Sequence, residues 1–170
     1  MEHYPELTTN LLANNGKRFL NYLIDLAFQY GIGYLLGFVL GYMYIYLNIE
    51  TPYLWVTNMN KLEELFLSYM IMLVYYTFFE TLFQRSPAKF ITGTRVINHD
   101  GSKPSFGTIV KRTFCRMIPF DHFSYLGEAG KGWHDSIPEA YVIDVKKYEE
   151  AKYLKNSFDE IGSEIKDNLA

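Results

Sequence analysis

Two acidic side chains stand inside stretches of sequence that are otherwise apolar. Asp25 is the only charged residue between Arg18 and Glu50, and Glu80 lies in a second apolar stretch. A carboxylate at the centre of a bilayer costs roughly 2.5 to 3.5 kcal/mol, so these positions are the first candidates for function. Two carboxylates at similar depth would form a site for protons or a monovalent cation, because burial and mutual repulsion favour proton uptake by one of them.

The polar positions of the first apolar stretch fall on one side of a helix. Arg18, Asp25 and Gln29 share that side, because seven residues is close to two turns of about 3.6 residues. We expect Arg18 to tune the charge state of the carboxylates. Further along, the same stripe consists of Gly33, Gly37 and Gly41. Small residues at this spacing let a second backbone approach closely, so we interpret the glycines as a helix-packing face.

A structural role for the carboxylates remains open beside the ion-binding one. Asp25 and Glu80 would then only form ion pairs with Arg18, Arg112 or Arg116, as membrane carboxylates near an interface often do. The dipeptide His134-Asp135 is a possible imidazole–carboxylate pair of the polar network at the cytosolic surface, but it lacks any accompanying nucleophile motif. The sequence also contains no metal-binding cluster and no nucleotide fingerprint. We therefore predict no catalytic residue, no metal, no cofactor and no nucleic-acid partner, and thus no enzyme.

Two apolar blocks must position these side chains. They cover residues 19–47 and 65–83, and each is long enough as a helix to cross a hydrocarbon core of about 30 Å. The chain as a whole is 49% hydrophobic with a net charge of -3, so it is the segregation of charge that points to a membrane. These blocks predict an all-α membrane protein built on a two-span transmembrane hairpin in a lipid bilayer.

Charge is distributed unevenly over the two ends of the hairpin. The segment 48–64 holds a single base, Lys61, whereas the segment 84–116 holds seven bases against one acid, Asp100. By the positive-inside rule, both termini lie in the cytoplasm and the loop between the spans lies outside. We expect a multi-pass protein of the cell inner (plasma) membrane.

Beyond the second block the sequence predicts smaller elements on the cytosolic face. Residues 94–98 and 103–106 flank a turn at 99–102, which indicates a small extended hairpin. Ser105 can cap a basic amphipathic helix over 106–117, which would lie among anionic lipid headgroups. The segment 120–126 is too short for a third span.

The charged C-terminal tail carries apolar residues at alternating spacings of three and four. They are Ala151, Leu154, Phe158, Ile161 and Ile165. This pattern predicts a helix whose apolar face either packs on its own protomer or forms a coiled-coil seam, and we favour packing within the protomer. We divide the chain into a membrane domain, 1–145, and a charged cytosolic helix, 146–170.

The pattern resembles the RDD family of small membrane proteins. The resemblance rests on Arg18, on Asp25 seven residues later and on Asp135 within Gly-Trp-His-Asp, and it continues through Glu80 and the segments 86–89, 93–96 and 111–120. The family usually has glycine where Ala88 stands, so the backbone here does not need a positive φ or the turn is altered. A third span, common in the family, is shortened here to 120–126.

The resemblance implies a transport function. It also implies a set of site residues, which match the family pattern position by position. They are Arg18, Asp25, Glu80 and Asp135, with Arg112 and Arg116 as cytosolic partners. We therefore predict a protein that handles protons or small monovalent cations through buried carboxylates. The alternative is a non-transporting membrane scaffold or accessory subunit. Two spans cannot enclose a sealed polar route, so transport would require a homo-oligomer or a membrane partner.

Overall fold

Helices make up most of the protein. The computed structural model describes residues 7–118 and 132–169. The helices are α1 (Asn15–Leu47), α2 (Thr51–Thr57), α3 (Lys61–Phe83), α4 (Pro87–Thr92), α5 (Phe106–Cys115), α6 (Trp133–Ser136) and α7 (Val145–Leu169). The strands are β1 (Thr94–Asn98) and β2 (Ala140–Asp144), and a 3₁₀ turn, Thr9–Leu11, precedes α1.

Both long helices begin at a side-chain cap. Asn14 accepts the backbone N–H of Lys17 at the start of α1. At the start of α3, Asn60 and Glu63 form a reciprocal capping box. These caps satisfy backbone N–H groups that a helix cannot satisfy itself, so they set where each helix begins.

The helices α1 and α3 confirm that both predicted apolar blocks are long helices and candidate membrane spans, and each begins about one turn earlier than predicted. Their most apolar windows have a mean hydropathy of 1.6 and 1.5, and at about 1.5 Å per residue both exceed the hydrocarbon thickness. Only 6% and 22% of those windows is buried by protein, whereas the core helix of a soluble protein is mostly buried. Their exposed apolar surface suits lipid.

The predicted extended hairpin is wrong in its second strand. β1 forms as predicted, but its antiparallel partner is β2, with Thr94 opposite Asp144 and Asn98 opposite Ala140. The segment 103–106 cannot serve as the partner, because Pro104 has no N–H to donate to a strand ladder. Pairing β1 with β2 also buries the side chains of Val96 and Val142 together.

The amphipathic helix α5 forms, but its basic side faces the protein. Ser105 caps it as predicted by accepting the N–H of Thr108. Arg112 and Arg116 are buried, while Phe114 and Lys111 are exposed. The prediction that this basic stripe meets lipid headgroups is therefore wrong for the two arginines. Both arginines form ion pairs with buried carboxylates on other elements.

The C-terminal helix α7 packs on the protein at its beginning, as far as its described side chains go, which do not include that of Ile165. Tyr148 and Ala151 lie against a core cluster that contains Ile97 and Ile143. Farther along, the apolar positions Leu154, Phe158 and Ile161 are exposed. The apolar face of α7 thus packs within the protomer over its first turns, as predicted. For the next three positions the prediction is wrong.

Three short helices, α2, α4 and α6, were not anticipated from the sequence. α2 follows the outer end of α1, and α4 follows α3 after a turn that contains Ser86. Ala88 lies inside α4 without a positive φ, while Gly93 ends the helix with a φ of 69°. The segment 120–126 lies outside the described residues.

Candidate functional site

Asp25 is buried where α1 meets the turn that follows α3. One carboxylate oxygen accepts the Tyr75 hydroxyl at 2.8 Å and the Ala88 backbone N–H at 3.1 Å. The other accepts the Ser86 hydroxyl at 2.6 Å. Hydrogen bonds to an ionised acceptor are roughly twice as strong as neutral ones, so these three uncharged donors hold the carboxylate in place.

Glu80 lies one turn from the end of α3 and is surrounded by bases. Oε1 accepts Nζ of Lys89 at 2.9 Å and Nη2 of Arg116 at 3.1 Å, while Oε2 lies 3.4 Å from Nε of Arg112. The carboxylate has no exposed surface. The structure thus brings Glu80 together with the two predicted arginines and with a lysine that the sequence analysis did not single out.

Asp135 lies in α6 and joins two arginines from different helices. Oδ1 accepts Nη1 of Arg112 at 2.7 Å, and Oδ2 forms a short ion pair with Nη1 of Arg18. Nε2 of His134 lies 3.5 Å from Oδ1. Burial alone would raise the pKa of Asp135, but His134, Arg112 and Arg18 outweigh burial and hold that pKa below its usual value.

Arg18 does not pair with Asp25 as the sequence interpretation expected. Besides Asp135, its guanidinium donates to the carbonyl of Ala13 at 3.1 Å and to that of Val142 at 3.4 Å. The two positions share a helix side, but seven residues separate them by about 10 Å along the axis. Arg18 therefore ties the start of α1 to α6 and β2.

The two carboxylates of the long helices are linked through the turn between α3 and α4. Nζ of Lys89 donates to Glu80 and also to Oγ of Ser86 at 3.3 Å, and the Ser86 hydroxyl donates to Asp25. Burial lowers the pKa of Lys89, the positive charges of Arg116 and Arg112 act in the same direction, and Glu80 opposes them. Asp25 and Glu80 thus belong to one network without touching each other.

Further polar and aromatic groups complete the network. The Asn21 amide donates to Thr94 at 3.0 Å and accepts the Thr92 hydroxyl at 2.5 Å. The guanidinium of Arg116 lies 4.0 Å from the ring centroid of Tyr76, which is a cation–π distance. Sequence reasoning did not assign these roles, since each depends on contacts between elements that are remote in the chain.

A small polar cavity of about 30 Å³ opens between these side chains. Its charged lining residues are Arg18, Asp25, Lys89 and Arg116, and His134 also faces it. A water molecule needs about 10 to 15 Å³ of such space, so the cavity has room for roughly two. The site can hold water or a small ion.

Four predicted residues lie apart from the network. Gln29 is half-buried, and its side chain forms no hydrogen bond within residues 7–118 and 132–169. Added Cβ atoms at Gly33 and Gly37 would meet nothing within 4 Å, and one at Gly41 would meet only the ring of Tyr53 at 3.9 Å. The glycine stripe therefore does not pack closely against α3, because Gly33 and Gly37 line an open groove that faces α2 and α3.

No group of His, Cys, Asp and Glu side chains in the described part of the chain is arranged to hold a metal ion. The network instead combines three carboxylates with three guanidinium groups and one ammonium group. The carboxylates are Asp25, Glu80 and Asp135, and the cations are Arg18, Lys89, Arg112 and Arg116. Each carboxylate is paired or hydrogen-bonded, which is the condition for keeping such groups away from water.

Two long apolar helices, joined at their polar ends by a buried charge network, define a small membrane protein with two candidate spans. The chain belongs to the RDD family, whose family model matches residues 12–145. The match includes every member of the network, from Arg18 to Asp135. No curated protein and no solved structure matches the chain.

Proposed function

We propose that this RDD protein is a membrane scaffold or accessory subunit whose charge network clamps two spans to a cytosolic platform. The platform consists of the β1–β2 ribbon and the start of α7. One observation carries the proposal: the carboxylates of Asp25, Glu80 and Asp135 are all buried and each is held by at least two donors or bases. Because each carboxylate is already held by several partners, its side chain is fixed in place, which opposes repeated binding and release of a proton or cation.

The positive-inside rule supports the orientation of this scaffold. The basic segment 84–116 follows α3, and the network lies at the same end as the start of α1. We therefore place both termini in the cytoplasm of a bacterial-type inner membrane, with α2 on the outer side. The exposed aromatic residues Tyr46 and Trp55 near α2 suit the outer interface.

A second candidate function is the handling of protons or a small monovalent cation. It is favoured by the polar cavity, which Asp25 lines and which has room for water. Two spans do not enclose a sealed pathway, so this function requires a homo-oligomer or another membrane protein. The saturated hydrogen bonding of Asp25 opposes it.

Reconstitution separates the two functions. The purified chain is placed in proteoliposomes with an entrapped pH dye, and sodium or potassium gradients are imposed. The scaffold proposal expects no cation-dependent proton flux, while Glu80→Gln lowers the thermal midpoint in detergent. Glu64→Gln is the matched control, because Glu64 lies on the same helix and its side chain is 58% exposed. A flux that Asp25→Asn abolishes in a protein of unchanged thermal midpoint would overturn the scaffold role.

A further inference from the structure

The polar cavity beside Asp25 has a lining of unusual charge. Three cationic side chains, Arg18, Lys89 and Arg116, face it together with the imidazole of His134. Asp25 is the one carboxylate among the described residues that line it. Arg18 is paired with Asp135, and Lys89 and Arg116 are paired with Glu80. With Arg112, the network holds four cations against three carboxylates, so a cation in this cavity would add to an excess of positive charge in an interior that screens charges poorly.

The single carboxylate is turned toward other partners. Both oxygens of Asp25 accept hydrogen bonds, from Tyr75 and Ala88 on one side and from Ser86 on the other. These donors draw on the lone pairs that a bound cation would need. The repulsion that Asp25 exerts on a neighbouring anion is correspondingly offset by three donor dipoles.

Lys89 has one more hydrogen-bond donor than the acceptors that the network offers it. An ammonium group carries three N–H bonds. Lys89 donates to Glu80 and to Ser86, and within residues 7–118 and 132–169 no third oxygen or nitrogen accepts from it; only the ring of Tyr76 lies near, with its centroid 5.6 Å from Nζ. Lys89 is 2% exposed, so bulk water does not satisfy this donor. A buried donor without an acceptor is costly, which favours a small acceptor in the cavity.

We propose that this cavity is a binding site for a small monovalent inorganic anion of halide size. Arg18, Lys89, Arg116 and His134 surround the anion, and the third N–H of Lys89 donates to it. The cavity volume of about 30 Å³ admits an ion of this size and is too small for a nucleotide. The proposal is independent of the scaffold role, since a resident anion can complete a structural network or serve another purpose.

The first test measures ion binding to the full-length protein in detergent. Equilibrium dialysis with radioactive chloride should show saturable binding of one ion per chain, and bromide should displace it. A parallel dialysis with radioactive sodium should show no saturable binding. Saturable sodium binding, or the absence of saturable chloride binding to folded protein, overturns the proposal.

The second test places the ion. Lys89→Gln should weaken chloride binding about ten- to hundredfold, the effect of losing one charged hydrogen bond, whereas the exposed control Lys111→Gln should not change it. A folded Lys89→Gln protein with unchanged affinity contradicts the proposed location. Because this variant can fail to fold, a crystal of the wild-type protein soaked in bromide gives a separate answer. An anomalous peak beside Nζ of Lys89 supports the site, and peaks found only elsewhere overturn it.

Discussion

Replacing Asp135 by asparagine tests whether the charge network holds the fold together. Asp135 is fully buried and contacts Nη1 of Arg112 at 2.7 Å as well as Nη1 of Arg18. Asp135→Asn keeps the shape of the side chain but leaves two buried guanidinium groups short of a counter-charge. Breaking a buried pair in this way costs about 3 to 5 kcal/mol.

That cost is a large share of the stability of a typical domain, which is about 5 to 15 kcal/mol. For a chain of this length, about 1 kcal/mol shifts the thermal midpoint by roughly 2 to 4 °C, so Asp135→Asn should lower it by about 6 to 20 °C. The assay is thermal unfolding of the purified protein in detergent. Glu64→Gln, in an exposed pair with Lys61, is the control and should change the midpoint by about 1 °C or less. Equal midpoints for Asp135→Asn and Glu64→Gln would refute the reasoning.

The same pair of proteins makes a prediction about pH. The pKa of Asp135 in the folded protein lies below its usual value, so the ionised carboxylate stabilises the fold at neutral pH. This stabilisation is present above the unfolded pKa of 3.8 and is lost as the pH falls from that value toward the folded pKa. Wild-type protein should therefore lose stability steeply in acid, and Asp135→Asn should show a flatter profile. Parallel profiles for the two proteins would contradict the assignment.

Substitutions at four further positions test individual contacts, each by its thermal midpoint. Tyr75→Phe removes one of the donors to Asp25 and should cost about 1.5 to 3 kcal/mol, because the lost hydrogen bond has a charged acceptor. No destabilisation would argue against that contact. Ser105→Ala removes the cap of α5 and should cost about 1 kcal/mol, whereas Ser105→Asp should restore most of it. Gly37→Ala should be tolerated, since the added methyl group meets open space, while Gly93→Ala should destabilise because its φ is 69°. If Gly37→Ala lowered the midpoint more than Gly93→Ala, the glycine stripe would have to pack closely against another element.

The long helices and the capped helix α5 were predictable because their signals are local. Apolar run length identified α1 and α3, and Ser105 ahead of an amphipathic stretch identified the start of α5. The partner of β1 was not predictable in this way. β2 lies more than 40 residues farther along the chain. The nearer segment, 103–106, follows a turn at 99–102 that forms in the structure, but it does not pair with β1.

Which residues form the site was easier to predict than which of them form ion pairs with each other. Sequence position and family resemblance pointed to Arg18, Asp25, Glu80 and Asp135, and the structure places all of them at one end of the long helices. Helical periodicity favoured pairing Arg18 with Asp25, because both share one side of α1. The structure instead pairs Arg18 with a carboxylate from α6, and periodicity within one helix carries no information about such a contact.

The network also explains how two spans keep a defined arrangement in lipid. Apolar helices gain little from association in a bilayer, because lipid tails are as apolar as their side chains. At the polar end, Arg112 bridges Glu80 of α3 to Asp135, and Asp135 binds Arg18 of α1. Toward the other end, Gly33 and Gly37 of α1 line an open groove that faces α2 and α3. The mutual orientation of the spans is therefore set by buried ion pairs at one end, and loss of a single bridging charge should loosen both helices together.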